Sequence, residues 1–314
     1  MVPKTSLSTI IVIAVQNKRV GAGTGMVKEQ VTFDANLSKR VSFIVPTKNR
    51  ANYLDRTLTL AREFVKPVDE LIIVDGLSTD HTVEVINRHS DIVSLFLSEP
   101  DISAGHALNK GILLSRGMYI RHIPDDDVLC PEGLDQAIEV LERHSEIDLL
   151  VCGGTKQSGA SVYAVCLPLG IDYGKSMEDP FRYGACGAGF IIRRSAIPLI
   201  GLIPIGPASD IEYVVQSISR GGNVKFCRIK LYHHPIYDHS YTVKYRREWD
   251  ADVLRIRRQY GLTKSYLHTL LKSWVLRALR QYMPEFAKGP LRRVMRRPRR
   301  DARAAGPIWD GGFS

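Results

Sequence analysis

Val41-Ser42-Phe43-Ile44-Val45-Pro46 is a short, mostly apolar run, and it is followed by Ala51 to Phe64, where apolar residues recur at helical spacing. Glu70-Leu71-Ile72-Ile73-Val74-Asp75 repeats the first pattern and Asp80 to His89 the second. The alternation continues with a strand around Ile92 to Leu97, a helix from about Ser103 to Ser115, a strand over Met118 to Ile123, a helix from Pro131 to His144 and a strand over Asp148 to Cys152. Near-continuous apolar strands joined through helices predict an α/β fold, a mostly parallel sheet with helices on both faces. Such sheets bind ligands outside the carboxyl ends of their strands.

Past Gly153 the pattern becomes mixed α+β. An apolar run at Val162 to Leu167, a glycine-rich passage from Gly184 to Gly189, a strand at Phe190 to Arg193 and a helix from Asp210 to Arg220 are expected. Val243 to Tyr260 and Thr263 to Tyr282 read as two further helices. Residues 1–40 lack clear periodicity and read as an N-terminal extension, 41–235 as the main domain, and 236–314 as C-terminal helices with a basic tail. Gly21, Gly23 and Gly25 invite a dinucleotide-binding reading, but Met26 stands where its third glycine is needed.

The 314 residues are 44% hydrophobic and 24% charged, which excludes a disordered, collagen-like or low-complexity chain. The best apolar runs, residues 9–15 and 196–206, fall short of the ~18 to 20 residues of a membrane span. With Lys4 as the only charge ahead of the first run and no small-residue cleavage site after it, that run reads as an extension rather than an export signal. Five cysteines without a Cys-x-x-Cys pair suggest neither a disulfide framework nor a thiolate zinc site, so a cytoplasmic location is expected.

The net charge of +10 is segregated. Residues 264–314 hold twelve Lys or Arg against three Asp or Glu, which leaves 31 basic and 30 acidic residues in 1–263. Tyr266, Leu270, Trp274 and Leu279 mark an apolar stripe in that basic segment, and an Arg-rich end follows. The pattern suits an anionic membrane surface, so peripheral association with the inner face of the cell membrane is expected. A stripe packed on the protein body is the alternative. Nucleic-acid binding through the tail is a rival reading, but a basic face for that purpose belongs in the folded domain, and no nucleic acid is expected.

Acidic residues cluster at strand ends. Asp75 closes its strand, and Asp125, Asp126 and Asp127 follow Ile123-Pro124. Adjacent carboxylates repel unless a cation sits among them, and oxygen ligands suit Mg2+ or Mn2+ holding a diphosphate. Helix capping and solvation are the alternative. Asp80 reads as a cap of the next helix.

The ordered series of motifs resembles the inverting family 2 glycosyltransferases of the GT-A fold, in the branch that builds bacterial envelope polysaccharides. Val41 to Arg50 is similar to that family's first strand and loop, Ile73 to Thr82 to its second, and Ser98-Glu99-Pro100-Asp101 with Ala107 to Gly111 to a donor-side loop and helix. The resemblance implies a nucleotide-diphosphate sugar donor, UDP-sugar foremost, a divalent cation, and a glycan or lipid-linked acceptor. It places Pro46, Thr47, Asn49, Asp75, Asn109 and Asp126 at the donor nucleotide, with Asp126 and Asp127 as metal ligands. It also marks departures, with Gly76 where many members carry a second acid, Ser103 for a usual Gly, His106 for a usual Asp, and Pro124 at the first metal-motif position. These leave a domain that binds the donor without turnover as a further alternative.

An inverting transfer needs a carboxylate near the acceptor hydroxyl, and Asp210 is the candidate base, with a helix-terminal acid or Glu212 as alternatives. The glycine-rich passage either lets a sugar approach the backbone or marks close packing beside Arg193 and Arg194. One of His233, His234 and His239 completes the metal or diphosphate site, or all three are loop residues.

Overall fold

Alternation within the apolar strands sets the layers. In β2 (Lys39–Thr47), Val41, Phe43 and Val45 face one core while Ile44 faces the other, and in β3 (Glu70–Asp75) Leu71 and Ile73 oppose Ile72 and Val74 in the same way. The first core is closed by α1 (Ala51–Phe64), α2 (Thr82–Arg88) and α4 (Pro131–Arg143), through residues such as Leu54, Leu58, Ile86, Leu134 and Leu141. The second is closed by α3 (Ala104–Leu114), α6 (Ile197–Ile200) and α7 (Ser209–Ser219), through Leu108, Ile112, Ile200, Tyr213 and Val214. Both faces of the sheet are therefore dry, as the unbroken apolar strands require.

This computed structural model describes residues 11–13, 39–125, 127–158, 161–165, 176–236 and 244–262. Besides β2 and β3 the sheet contains β1 (Ile11–Ile13), β4 (Leu95–Ser98), β5 (Gly117–His122), β6 (Val128–Leu129), β7 (Leu149–Ser158), β8 (Ser161–Val165), β9 (Phe190–Arg193) and β10 (Val224–Ile236). Among the described residues ten strands run in the order β1-β4-β3-β2-β5-β9-β7-β10-β6, with β8 added to β7. The block β4-β3-β2-β5 is parallel, and β9 enters antiparallel between β5 and β7. Ile11 to Ile13, inside the stretch read as an extension, pairs antiparallel with Phe96 to Ser98.

From β2 the chain steps outward through β3 to β4, then returns through α3 to place β5 on the other side of β2. The reversal opens a crevice at the carboxyl ends of β2 and β5. Helix α3 lies tight on β2 because residue 111 is glycine, where a Cβ would stand 2.3 Å from Ile44 Cγ2.

Expected and observed elements agree closely through residue 152, with small differences of physical origin. Helix α2 starts at Thr82 rather than Asp80, because the Asp80 carboxylate accepts from the N–H groups of both Thr82 and Ala51 and so binds the starts of two helices. Ser103 has a comparable task, its Oγ accepting from His106 N–H at the start of α3. The last described helix, α8 (Arg246–Gln259), docks Ile256 against Ala208, Ile211 and Val215 of the α7 region. Residues 263–314, with the stripe and the Arg-rich end, lie outside the described residues, and so does the glycine cluster at 21–25. Among the described residues no helix is long and apolar enough to cross a membrane.

Candidate active site

Two groups of side chains meet the crevice. On the first side, β2 ends at Thr47, whose hydroxyl donates to Asp125 Oδ2 at 3.2 Å, and Pro46 is buried opposite Val74. Asp125 is also paired with Arg50 at 3.0 Å, so this buried acid is balanced by its own loop. Asn49, with a left-handed φ of 53°, donates its N–H to Ser78 Oγ and accepts from Thr79 N–H through Oδ1, stitching the loop after β2 to the loop after β3.

Asp75 is fully buried, and its carboxylate accepts from Ser78 N–H, from the Ser78 hydroxyl and from the Ser98 hydroxyl. Asp75, expected at the base or ribose, thus has its oxygens engaged in shaping the loop after β3. Asn109 is also committed: its amide donates to Ile203 O at 2.8 Å and accepts from Ile203 N–H at 3.0 Å, clamping α3 to the 201–205 loop.

On the second side Asp127 is 5% exposed and meets His234 Nδ1 through Oδ1. Neighbouring positions on parallel strands share a face. His234 is therefore beside Lys156, its Cα partner across β7 and β10, while His233 pairs with Thr155 and Gln157. Asp126 and His239 lie outside the described residues. Behind Asp127 sits Arg121, 1% exposed, donating to Leu231 O, with Nε and Nη1 finding no partner among the described residues. Burial pulls its guanidinium down to about 10, and the charges of the nearby thiols and Asp127 oppose that fall. A buried arginine inside a strand carried no signal in the sequence, because strand periodicity marks faces and not charged partners.

Asp210 opens α7 and accepts from Ile211 N–H at 2.8 Å. It is half-buried, and burial pushes its carboxyl up to about 6 against the Ile211 N–H and the charge of Lys156. Burial pushes the Cys186 thiol up to about 11, and the charges of Asp127 and Asp210 both add to that rise. Glu212 is not available as the base: it is 4% exposed, and both its oxygens are held by Arg255 of α8. Helix α8 also fixes the start of α7, since Asp252 Oδ2 accepts from Ala208 N–H at 3.0 Å.

The glycine-rich passage packs closely: a Cβ at Gly189 would stand 2.4 Å from Cys152 O, and Arg193 and Arg194 bond backbone carbonyls of Leu141, His144, Ile147 and Gly117. Among the described residues no group of three or more His, Cys, Asp or Glu is gathered for a metal ion. Asp127 with His234 supplies two donors.

Residues 42–198 match the sequence profile of "Glycosyl transferase family 2", half of the chain. The chain belongs to this family. An uncharacterized glycosyltransferase of Rickettsia prowazekii is 30% identical over 131 residues, 41% of this family 2 chain and 41% of that protein. The poly(ribitol-phosphate) beta-N-acetylglucosaminyltransferase TarS of Staphylococcus aureus is 29% identical over 126 residues, 38% of this chain and 22% of that one. The chain thus spans well under two thirds of these relatives. Among solved structures, the mannosyltransferase PcManGT of Pyrobaculum calidifontis, in complex with GDP-Man and Mn2+, matches with a TM-score of 0.55 at 18% identity, over 85% of this chain and 83% of that one. TarS residues 1–349 with UDP-GlcNAc match with a TM-score of 0.51 at 16% identity, over 64% and 60%. At these identities the likeness is one of fold, and the fold is GT-A.

Proposed function

We propose that this family 2 chain is an inverting glycosyltransferase that moves a sugar from a nucleoside diphosphate sugar, a UDP-sugar, to a hydroxyl of a lipid-linked or polysaccharide acceptor. The observation that carries the reading is that Asp210 and Asp127, the latter bonded to His234, both act electrostatically on Cys186, while Lys156, the register partner of His234, acts on Asp210. Asp210 accepts the proton of the acceptor hydroxyl while that oxygen bonds to the anomeric carbon. The bond from that carbon to the diphosphate oxygen breaks on the opposite face, and the electron pair leaves with the nucleoside diphosphate. Attack opposite the leaving group inverts the anomeric centre.

Asp127, with Asp126 beside it in sequence, offers carboxylate oxygens that suit Mg2+ or Mn2+, and His234 adds a nitrogen donor. A divalent ion held there supplies charge neutralisation on the diphosphate. Arg121 contributes a fixed positive charge behind Asp127 whether or not an ion is bound. The fold neighbours solved with UDP-GlcNAc, or with GDP-Man and Mn2+, support both assignments.

The charge and apolar stripe of segment 264–314 support peripheral association with the anionic inner face of the cell membrane. Removing it should abolish sedimentation with anionic vesicles while release of UDP from the donor and transfer to a soluble acceptor persist. Salt should weaken vesicle binding only in part, because the apolar stripe is unscreened. Equal sedimentation of the truncated and full chains would remove the membrane role, and unfolding of the truncated chain would assign the stripe to the protein core.

A further inference from the structure

Asp127 meets His234 because two strands run side by side for a short distance. β6 pairs antiparallel with β10, Leu129 opposite Tyr232 and Val128 opposite His233, so the next pair outward is Asp127 opposite His234. A ladder of two residue pairs is too short to hold its own register. β10 is also irregular just before this point, since its pairing with β7 shifts between Cys227 and Lys230 and again between Lys230 and Tyr232.

The inner end of the ladder is fixed at Leu231 O. This carbonyl accepts from Cys130 N–H at 3.0 Å and from Arg121 Nη2 at 3.0 Å, so the guanidinium ties β5 to the place where β6 and β10 join. The start of α4 closes over the same place, because residue 133 is glycine where a Cβ would collide with Lys230 O.

Holding one carbonyl needs only a neutral donor. Arg121 instead brings a charge to a position that is 1% exposed, and its Nε and Nη1 have no partner among the described residues. A buried cation with unpaired donors works against folding, and an apolar side chain of similar size would serve the core better. The groups that act on this charge are the thiols of Cys130 and Cys152 and the carboxylate of Asp127. Of these, Asp127 is the one that the donor site uses.

We infer that Arg121 is a positioning residue for sugar transfer: it clamps the β6–β10 junction through Leu231 O and draws the Asp127 carboxylate into its place against His234. The inference rests on the nucleotide-sugar reading and adds to it a residue that touches neither donor nor acceptor. Its removal should therefore spare the fold and impair the site.

The test measures UDP affinity of the full chain by calorimetry, with and without Mn2+, together with melting temperature. It compares wild type, Arg121→Met, Arg121→Lys, Asp127→Asn and the variant carrying both Arg121→Met and Asp127→Asn. Arg121→Met should lose about 10- to 100-fold of the Mn2+-dependent gain in affinity, the scale for a residue that orients a metal-binding side chain. Its metal-free affinity should be unchanged and its melting temperature no lower than that of the wild type. Arg121→Lys, which keeps the charge and a donor, should recover most of the gain. In the double variant the two losses should not add, because Arg121 acts through Asp127. A full Mn2+ gain in folded Arg121→Met, or losses that add in the double variant, overturns the role of Arg121 and leaves the nucleotide-sugar reading standing. A fall in metal-free affinity and melting temperature together makes Arg121 a structural residue and overturns the role as well. Where Arg121→Met does not fold, Arg121→Gln, which keeps a donor for Leu231 O without the charge, takes its place with the same outcomes. A wild type that binds UDP with no Mn2+ gain overturns the role of Arg121 with the ion site, and one that binds no UDP overturns the nucleotide-sugar reading itself.

Discussion

Replacing Asp210 by Asn is expected to lower turnover of sugar transfer by roughly 10²- to 10⁴-fold, the scale of losing a general base, with donor affinity near the wild-type value. The same substitution should stabilise the fold. Burial holds the native carboxyl near 6, above its ordinary value of 3.8. A carboxyl raised on folding contributes most to stability below its unfolded value, and the contribution is lost as pH rises through the folded one. At pH 7 the wild type therefore carries an ionised acid that its surroundings disfavour, and the neutral amide removes a cost on the order of 1–2 kcal/mol. Loss of rate with gain of melting temperature separates a catalytic acid from a merely helix-terminal one, since neutralising an acid that only favours the helix dipole would cost stability and leave the rate alone. Wild-type turnover should also fall tenfold per pH unit below about 6, and the variant should lack that dependence. Near-normal turnover in Asp210→Asn would move the base elsewhere in the crevice.

Replacing Asp127 by Asn has the second largest expected effect, and it falls on binding. The variant loses the anionic oxygen that meets His234 and leaves Arg121 behind it without its nearby acid. Mn2+-dependent affinity for UDP should drop by roughly 10- to 100-fold, as expected for one charge-assisted contact in a dry site. The weak metal-independent affinity, set at the ends of β2 and β3, should change little. Calorimetry with and without Mn2+ reads both, and an unchanged Mn2+ increment in a folded protein would remove Asp127 from the site.

Legibility in the sequence followed the range of the interaction. The parallel block was visible because Val41 to Pro46 and Glu70 to Asp75 are apolar on both faces, a property each strand carries alone. The acids at strand ends were legible for the same reason. Which acids are free was not visible, because Ser98, Arg50 and Arg255 reach Asp75, Asp125 and Glu212 from other elements. The departure at Gly76 likewise reads as a missing acid in one dimension and as room for Asp101 in three. Of the two described histidines of β10, register puts His234 beside Lys156, and only the fold brings it to Asp127.

The central claim is an inverting transfer from a nucleotide sugar, and the stereochemistry of the product tests it most directly. Full-length protein, Mn2+ and a panel of UDP-sugars with α-linked anomeric centres should be incubated with a hydroxyl acceptor and followed by NMR. The account predicts release of UDP matched one for one by a β-linked product. An α-linked product, or no UDP released from any donor by the wild-type chain, would contradict it.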